Sequence, residues 1–201
     1  MDVSKLPPET LAALLPLIRK MQKVRTAHGI ITSLAVLVWF PLGVLLLRLL
    51  KVKNTVRWHA IWQGIGLGLM TAGFGMGRWL NGKAKHNNEP HIILGTIIFV
   101  LFLLMPIAGF LHHKHFTAKG VRDFKRRVHV WGGRVLLILG LVNGFTGLKL
   151  AKAKGGLYAA YGVVAAVFVA AYVGTWYFVR RRKNADCGDG EVELRERAPG
   201  K

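Results

Sequence analysis

Val128-His129-Val130-Trp131-Gly132-Gly133-Arg134 opens a run too apolar to face water. Three other apolar runs open in the same way, at Ala27-His28-Gly29, Trp58-His59-Ala60 and Pro90-His91-Ile92. A single histidine at the end of a span is ordinarily an interfacial residue, bonded to water or lipid headgroups. Four at corresponding places, with none opening a fifth run, require a common cause.

The chain has 201 residues, 52% of them hydrophobic, and a mean hydropathy of +0.36. It nevertheless carries 29 Lys and Arg against 9 Asp and Glu, for a net charge of +20. The two kinds of residue are segregated: apolar runs of about 20 residues, enough to cross a bilayer core of roughly 30 Å, alternate with short basic connections. The expected spans are 27–47, 60–80, 91–111, 130–149 and 157–179. This is an all-α integral membrane protein of five transmembrane helices. The basic residues sit at span ends, where snorkelling and anionic lipid account for them, so the partner is membrane lipid and not nucleic acid.

Three segments follow: an amphipathic stretch 1–26 ending in Arg19, Lys20, Lys23 and Arg25, a membrane domain 27–180, and a polar tail 181–201. The first is too short for a domain and is expected to lie on the membrane surface or to end a longer connection. No signal peptide is visible, and the first span is expected to act as its own insertion signal. Basic residues near span ends number ten on the side of the N-terminus and fourteen on the side of the 48–57, 114–127 and 180–183 clusters. That bias places the second side in the cytosol, the N-terminus outside and the C-terminus inside. The lone Cys187 excludes an internal disulfide and a Cys-based metal site.

Spans one and two resemble spans three and four. His28 precedes Pro41 and Gly43 as His91 precedes Pro106 and Gly109, and His59 precedes Gly73-Phe74-Gly75 as His129 precedes Gly144-Phe145-Thr146-Gly147. A parallel repeat of this kind sets span one across from span three and span two across from span four. Because consecutive spans alternate in direction, His28 and His91 share the outer side, and His59 and His129 the cytosolic side. Two imidazoles facing each other across a bundle suit a six-coordinate haem iron, and a pair is too few for structural zinc. The glycines of spans two and four leave room for a flat macrocycle, although small residues also simply let transmembrane helices approach. Arg134 is a candidate partner for a haem propionate, and Thr32, Gln63 and Asn143 are candidates for orienting ligands. His112, His113 and His115, like His86, read as solvated loop residues rather than a metal tract.

These motifs resemble the cytochrome b561 family, in the form found after extracellular DOMON domains. The resemblance rests on Ala27-His28-Gly29 with Phe40-Pro41-Leu42-Gly43, on His59 with Gln63 and Gly64, and on His91-Ile92-Ile93-Leu94-Gly95. It continues through His129 to Arg134 and into Asn143-Gly144 and Gly147-Leu148, covering about residues 26–150. It implies two haem b groups in a four-helix bundle of the first four spans, with His28/His91 and His59/His129 as the axial ligands of the irons. It implies electron transfer from a cytosolic donor to an outer acceptor such as a ferric chelate or a partner protein. His91 lies between Glu89-Pro90 and Ile92, where the ascorbate-reducing members have Ser-Leu-His-Ser-Trp, so ascorbate as the donor is not implied. Residues 1–26 hold no DOMON domain. Ferric-reductase-like chemistry is the leading expectation, with a homodimer among the assemblies such a bundle allows. A haem-free transporter or scaffold, or a haem sensor, is the alternative.

Overall fold

The structure is a computed structural model that describes residues 7–49, 53–85, 87–119 and 124–197, with side chains as far as Arg182 except that of Lys119. His86, Lys51, Arg122 and the side chain of Cys187 lie outside the described residues. Helix α1 runs Pro8–Leu49; α2 Thr55–Ala84, α3 Pro90–Lys119, α4 Phe124–Leu150 and α5 Gly155–Arg197 follow, with no strand among the described residues. By length and composition α1, α3, α4 and α5 can each cross a membrane. At 30 residues α2 is also long enough, but its glycines keep its hydropathy low. Outward-facing Ile138 and Val163 are each 63% exposed, as befits a surface whose solvent is lipid. The chain is thus an all-α, multi-pass integral membrane protein.

Neighbours in sequence pack together from α1 to α4, and α4 closes against the middle of α1. In that ring α1 lies diagonally across from α3, and α2 from α4. The diagonal is visible at the centre, where Phe40 of α1 stacks on Phe102 of α3 with centroids 4.7 Å apart. Around this pair Ala35, Val36, Met70, Ile98 and Leu136, contributed by all four helices, form the buried core. The core sits midway along the bundle, between the level of His28/His91 and that of His59/His129. Helix α5 packs outside the ring, against α1 and α4.

Three features differ from the expectations. α1 is unbroken for 42 residues, roughly 60 Å and about twice the bilayer core. Its N-terminal part therefore extends the first span instead of turning along the surface; Pro16 sits inside the helix. The backbone of α5 stays helical to Arg197, through most of the expected polar tail. His112, His113 and His115 belong to the last turns of α3 rather than to a loop. Within α1, Leu34–Trp39 widen into a π-helical turn, in which the Phe40 N–H bonds back to the Ala35 carbonyl.

Close packing in the core depends on particular glycines. A Cβ at Gly140 would meet Val36 Cγ1 at 2.8 Å, and Val36 is a stiff, buried, β-branched side chain. Gly140→Val is expected to destabilise the bundle by about 1–3 kcal/mol, the usual cost of overpacking, seen as a lower thermal midpoint in detergent. Gly162→Ala, where a Cβ meets nothing within 4 Å, should not destabilise and should raise stability by up to about 1 kcal/mol through helix propensity. Equal midpoints for the two variants would contradict this view of the core.

Candidate functional site

The four histidines occupy two levels. Each imidazole rests on the backbone of the helix next to its own. His28 Nδ1 is 2.7 Å from the Gly73 carbonyl, His91 Nδ1 is 3.0 Å from that of Asn143, and His59 Nδ1 is 3.2 Å from that of Gly43. A carbonyl can only accept, so in each case Nδ1 carries the proton and Nε2 keeps its lone pair. Imidazoles that ligate metals are oriented by this same second hydrogen bond. His129 Nδ1 is buried without a hydrogen-bond partner; the Met105 carbonyl is close enough to act on it but outside bonding geometry.

Glycines make these seats possible. A Cβ at Gly77 would lie 2.9 Å from His28 Cε1, one at Gly147 2.8 Å from His91 Cε1, and one at Gly109 2.9 Å from His129 Cε1. For each of these three histidines the carbonyl beneath the ring belongs to residue i and the glycine to residue i+4, adjacent on one helix face. The ring therefore lies where any side chain on the supporting helix would stand. The glycines expected to make room for a macrocycle include residues that make room for its candidate ligands instead.

The repeat acquires a register from these contacts. His59 and His129 are 70 residues apart, as are Gly73 and Asn143, and Gly77 and Gly147. His28 and His91 are 63 apart, but Gly43 and Met105 only 62. The one-residue difference falls across Leu34–Trp39, where the π turn of α1 takes up one extra residue. Without it, either His28 or the Gly43 carbonyl would point away from the bundle.

Level with the N-terminus of α3, His28 and His91 meet across the diagonal with ring centroids 6.0 Å apart and planes at 80°. A metal about 2.0–2.1 Å from one nitrogen of each ring, as in zinc–imidazole bonds, would set the centroids roughly 6 Å apart. The pair borders a cavity of about 490 Å³, which also meets Gly77, Gly140, Gly144, Gly147 and Tyr161 and has Arg25 and Arg78 at its polar edge. That volume falls in the range typical of small-molecule and cofactor sites. Tyr161 reaches in from α5, donates to the Leu141 carbonyl at 3.1 Å and sits directly on Gly144. α5 therefore walls this site as well as packing on the bundle.

At the other end His59 and His129 are electrostatic neighbours. Gln63 donates to the Phe40 carbonyl at 3.3 Å, while its Oε1 is buried with no partner. The orphaned Gln63 Oε1 marks this as a place that fits an additional hydrogen-bond donor. Just above it Trp39 and Trp62 stack at 4.3 Å and donate reciprocally to each other's carbonyls, at 2.8 and 2.9 Å. Along α2 or α4 the two levels are separated by about 14–18 residues, roughly 21–27 Å. The cavity at the His28/His91 level has room for a flat macrocycle with an iron between the two imidazoles.

Other candidates stand elsewhere. Arg134 points away from His129: its Nε donates to Tyr172 Oη at 2.9 Å, and its guanidinium lies 4.6 Å over Trp131. Five residues beyond His129 it faces the other side of α4, and α5 takes up the charge expected to meet a propionate. The Thr32 hydroxyl bonds back to the His28 carbonyl at 2.7 Å, and its methyl covers Gly73. Asn143 orients His91 chiefly through its backbone, with the Thr146 hydroxyl bonded to the same carbonyl at 2.8 Å. Among the described residues no group of three or more His, Cys, Asp or Glu gathers for a metal, the 112–115 histidines included. Sequence reasoning overlooked the Met105 carbonyl and the presence of both Arg25 and Arg78 at one cavity; an arginine aligned one turn from a ligand level was the available signal for the second.

The chain is 28% identical over 181 residues to a cytochrome b561 and DOMON domain-containing protein of Arabidopsis thaliana, covering 83% of this chain and 43% of that one. A second Arabidopsis thaliana protein of the same description is 29% identical over 160 residues, 74% of this chain and 38% of its own length. The chain thus spans about two fifths of the length of the curated relatives it matches. No solved structure gives a significant match. The pattern defining the eukaryotic cytochrome b561 family matches residues 21–154, all four histidines included, and the chain belongs to that family of haem b-binding, electron-transferring membrane proteins.

Proposed function

We propose that this chain moves electrons across a membrane through two haem b groups, one held by His28 and His91 and the other by His59 and His129. The observation that carries the reading is the seating of the imidazoles. Nδ1 of three of them is engaged by a backbone carbonyl of the adjacent helix, which leaves Nε2 free for a metal at the centre of the ring of helices. Held by these histidines, a haem would supply a one-electron carrier, which favours electron transfer over oxygen chemistry.

The protein's residues do the rest. The carbonyls of Gly73, Asn143 and Gly43 fix the tautomers and raise the basicity of the ligands. Arg25 and Arg78 would hold the carboxylates of the outer group. The buried layer of Ala35, Ile98, Phe102 and Leu136 excludes water between the levels. Electrons enter near His59/His129 from a cytosolic reductant and leave near His28/His91, toward a ferric chelate or a partner protein attracted by Arg78, Lys83 and Lys85. Lys53, Arg57 and Lys125 flank the entrance. DOMON domains named in the relatives make such a domain, supplied separately or in a longer chain, a candidate outer partner.

Purified protein should contain two haem b per chain by its reduced-minus-oxidised spectrum. His28→Ala and His91→Ala should each leave one, while His59→Ala should leave the other. Loss of neither haem in any of these variants would overturn the assignment. Gly147→Ala and Gly109→Ala push on His91 and His129 and should weaken haem affinity about 10- to 100-fold, the usual effect of disturbing a ligand's support. Nitrogen NMR of the haem-free protein should find His28 and His91 protonated on Nδ1; an Nε2–H tautomer would contradict the seating. Vesicles with an internal reductant should reduce an external ferric chelate, and a haem protein that failed to do so would be a sensor.

A further inference from the structure

Arg48, Arg134 and Tyr172 come together in the groove between α1, α4 and α5. Arg134 donates to Tyr172 Oη at 2.9 Å and its guanidinium lies 6.0 Å over the Tyr172 ring. The guanidinium of Arg48, in the last turn of α1, lies 5.3 Å over the same ring. Two cations share one phenol. Neither meets a carboxylate among the described residues, whose acidic side chains are Glu9 and Glu89, both at the opposite end of the bundle. Arg48 has no hydrogen-bond partner among the described residues, and Arg134 uses only one of its five N–H donors.

An aromatic face attracts a cation without cancelling its charge. A polar contact with α5 would need only one neutral residue, so packing of that helix does not explain two guanidiniums. Guanidinium pairs recognise phosphate bidentately. Tyr172 lies two turns before the Arg180 cluster, a depth suited to the boundary between headgroups and acyl chains. Around the cations α4 and α5 expose apolar side chains, Val135 50% and Ile138 63% exposed on α4, and Val169 52% and Val173 54% on α5. We propose that Arg48 and Arg134 form a binding site for the phosphate of an anionic phospholipid in the leaflet on the His59/His129 side, with its chains along α4 and α5. The site does not depend on the haem assignment.

The test is native mass spectrometry of the full chain in detergent with dioleoyl phosphatidic acid, dioleoyl phosphatidylcholine or inorganic phosphate. Phosphatidic acid should be retained in preference to phosphatidylcholine, and Arg48→Gln with Arg134→Gln should weaken it about tenfold or more, the worth of one charge-assisted contact. Should Arg134→Gln fail to fold, Arg48→Gln alone, in a terminal turn, must still weaken it several-fold. Equal retention by Arg48→Gln and the parent overturns the proposal. Displacement by equimolar inorganic phosphate overturns the lipid assignment in favour of a free anion. Loss of haem absorbance in Arg48→Gln with unchanged lipid retention overturns it in favour of a propionate.

Discussion

An imidazole laid on a backbone carbonyl of the neighbouring helix, with a glycine one turn further on, is the contact on which the bundle depends. The carbonyl fixes which nitrogen carries the proton and so which one faces the centre. The glycine allows the helices to close over the ring. Remove the glycine and the histidine must leave its seat; remove the histidine and a groove opens between two helices. Ligand geometry and helix packing are therefore a single arrangement in this protein. The pairs involved are sequential, α1 with α2 and α3 with α4, while the histidines they support meet across the diagonals.

This arrangement repeats, and the repeat accounts for a local irregularity. Within each pair of corresponding helices the two halves keep one register except for one residue in α1, and the π turn at Leu34–Trp39 absorbs it. π turns cost hydrogen-bond quality and tend to be kept at functional positions. Here the turn lets Ala35, Val36 and Phe40 remain in the core while bringing His28 and the Gly43 carbonyl to bear on two different levels. It also places Trp39 against Trp62, which ties α1 to α2 just above the second level.

Much of the fold was legible in the sequence because hydrophobic length and histidine position report on different things. Apolar runs located the helices, and the alternation of their direction sorted the histidines into two pairs before any contact was known. The glycines were legible as small residues but not as seats, since which side chain fills a glycine's space depends on helix rotation. Arg134 was misplaced for the same reason: five residues from His129 is close along the chain and far around the helix. The continuity of α1 through Pro16 and of α5 toward Arg197 was hidden because local composition marks where a membrane begins, not where a helix stops. Tyr161, inside an Ala- and Gly-rich span, gave no sign that it would wall the cavity beside His28 and His91.

The central claim is that paired imidazoles hold both irons, and electron paramagnetic resonance of the oxidised protein at low temperature tests it directly. The account predicts two low-spin ferric signals and no high-spin signal. The ligand planes of His28 and His91 stand at 80°, so one signal should have the strong anisotropy of near-perpendicular imidazoles, and His28→Ala should abolish it while leaving the other. A high-spin ferric signal in the intact protein, or a strongly anisotropic signal that survives loss of His28, would contradict it.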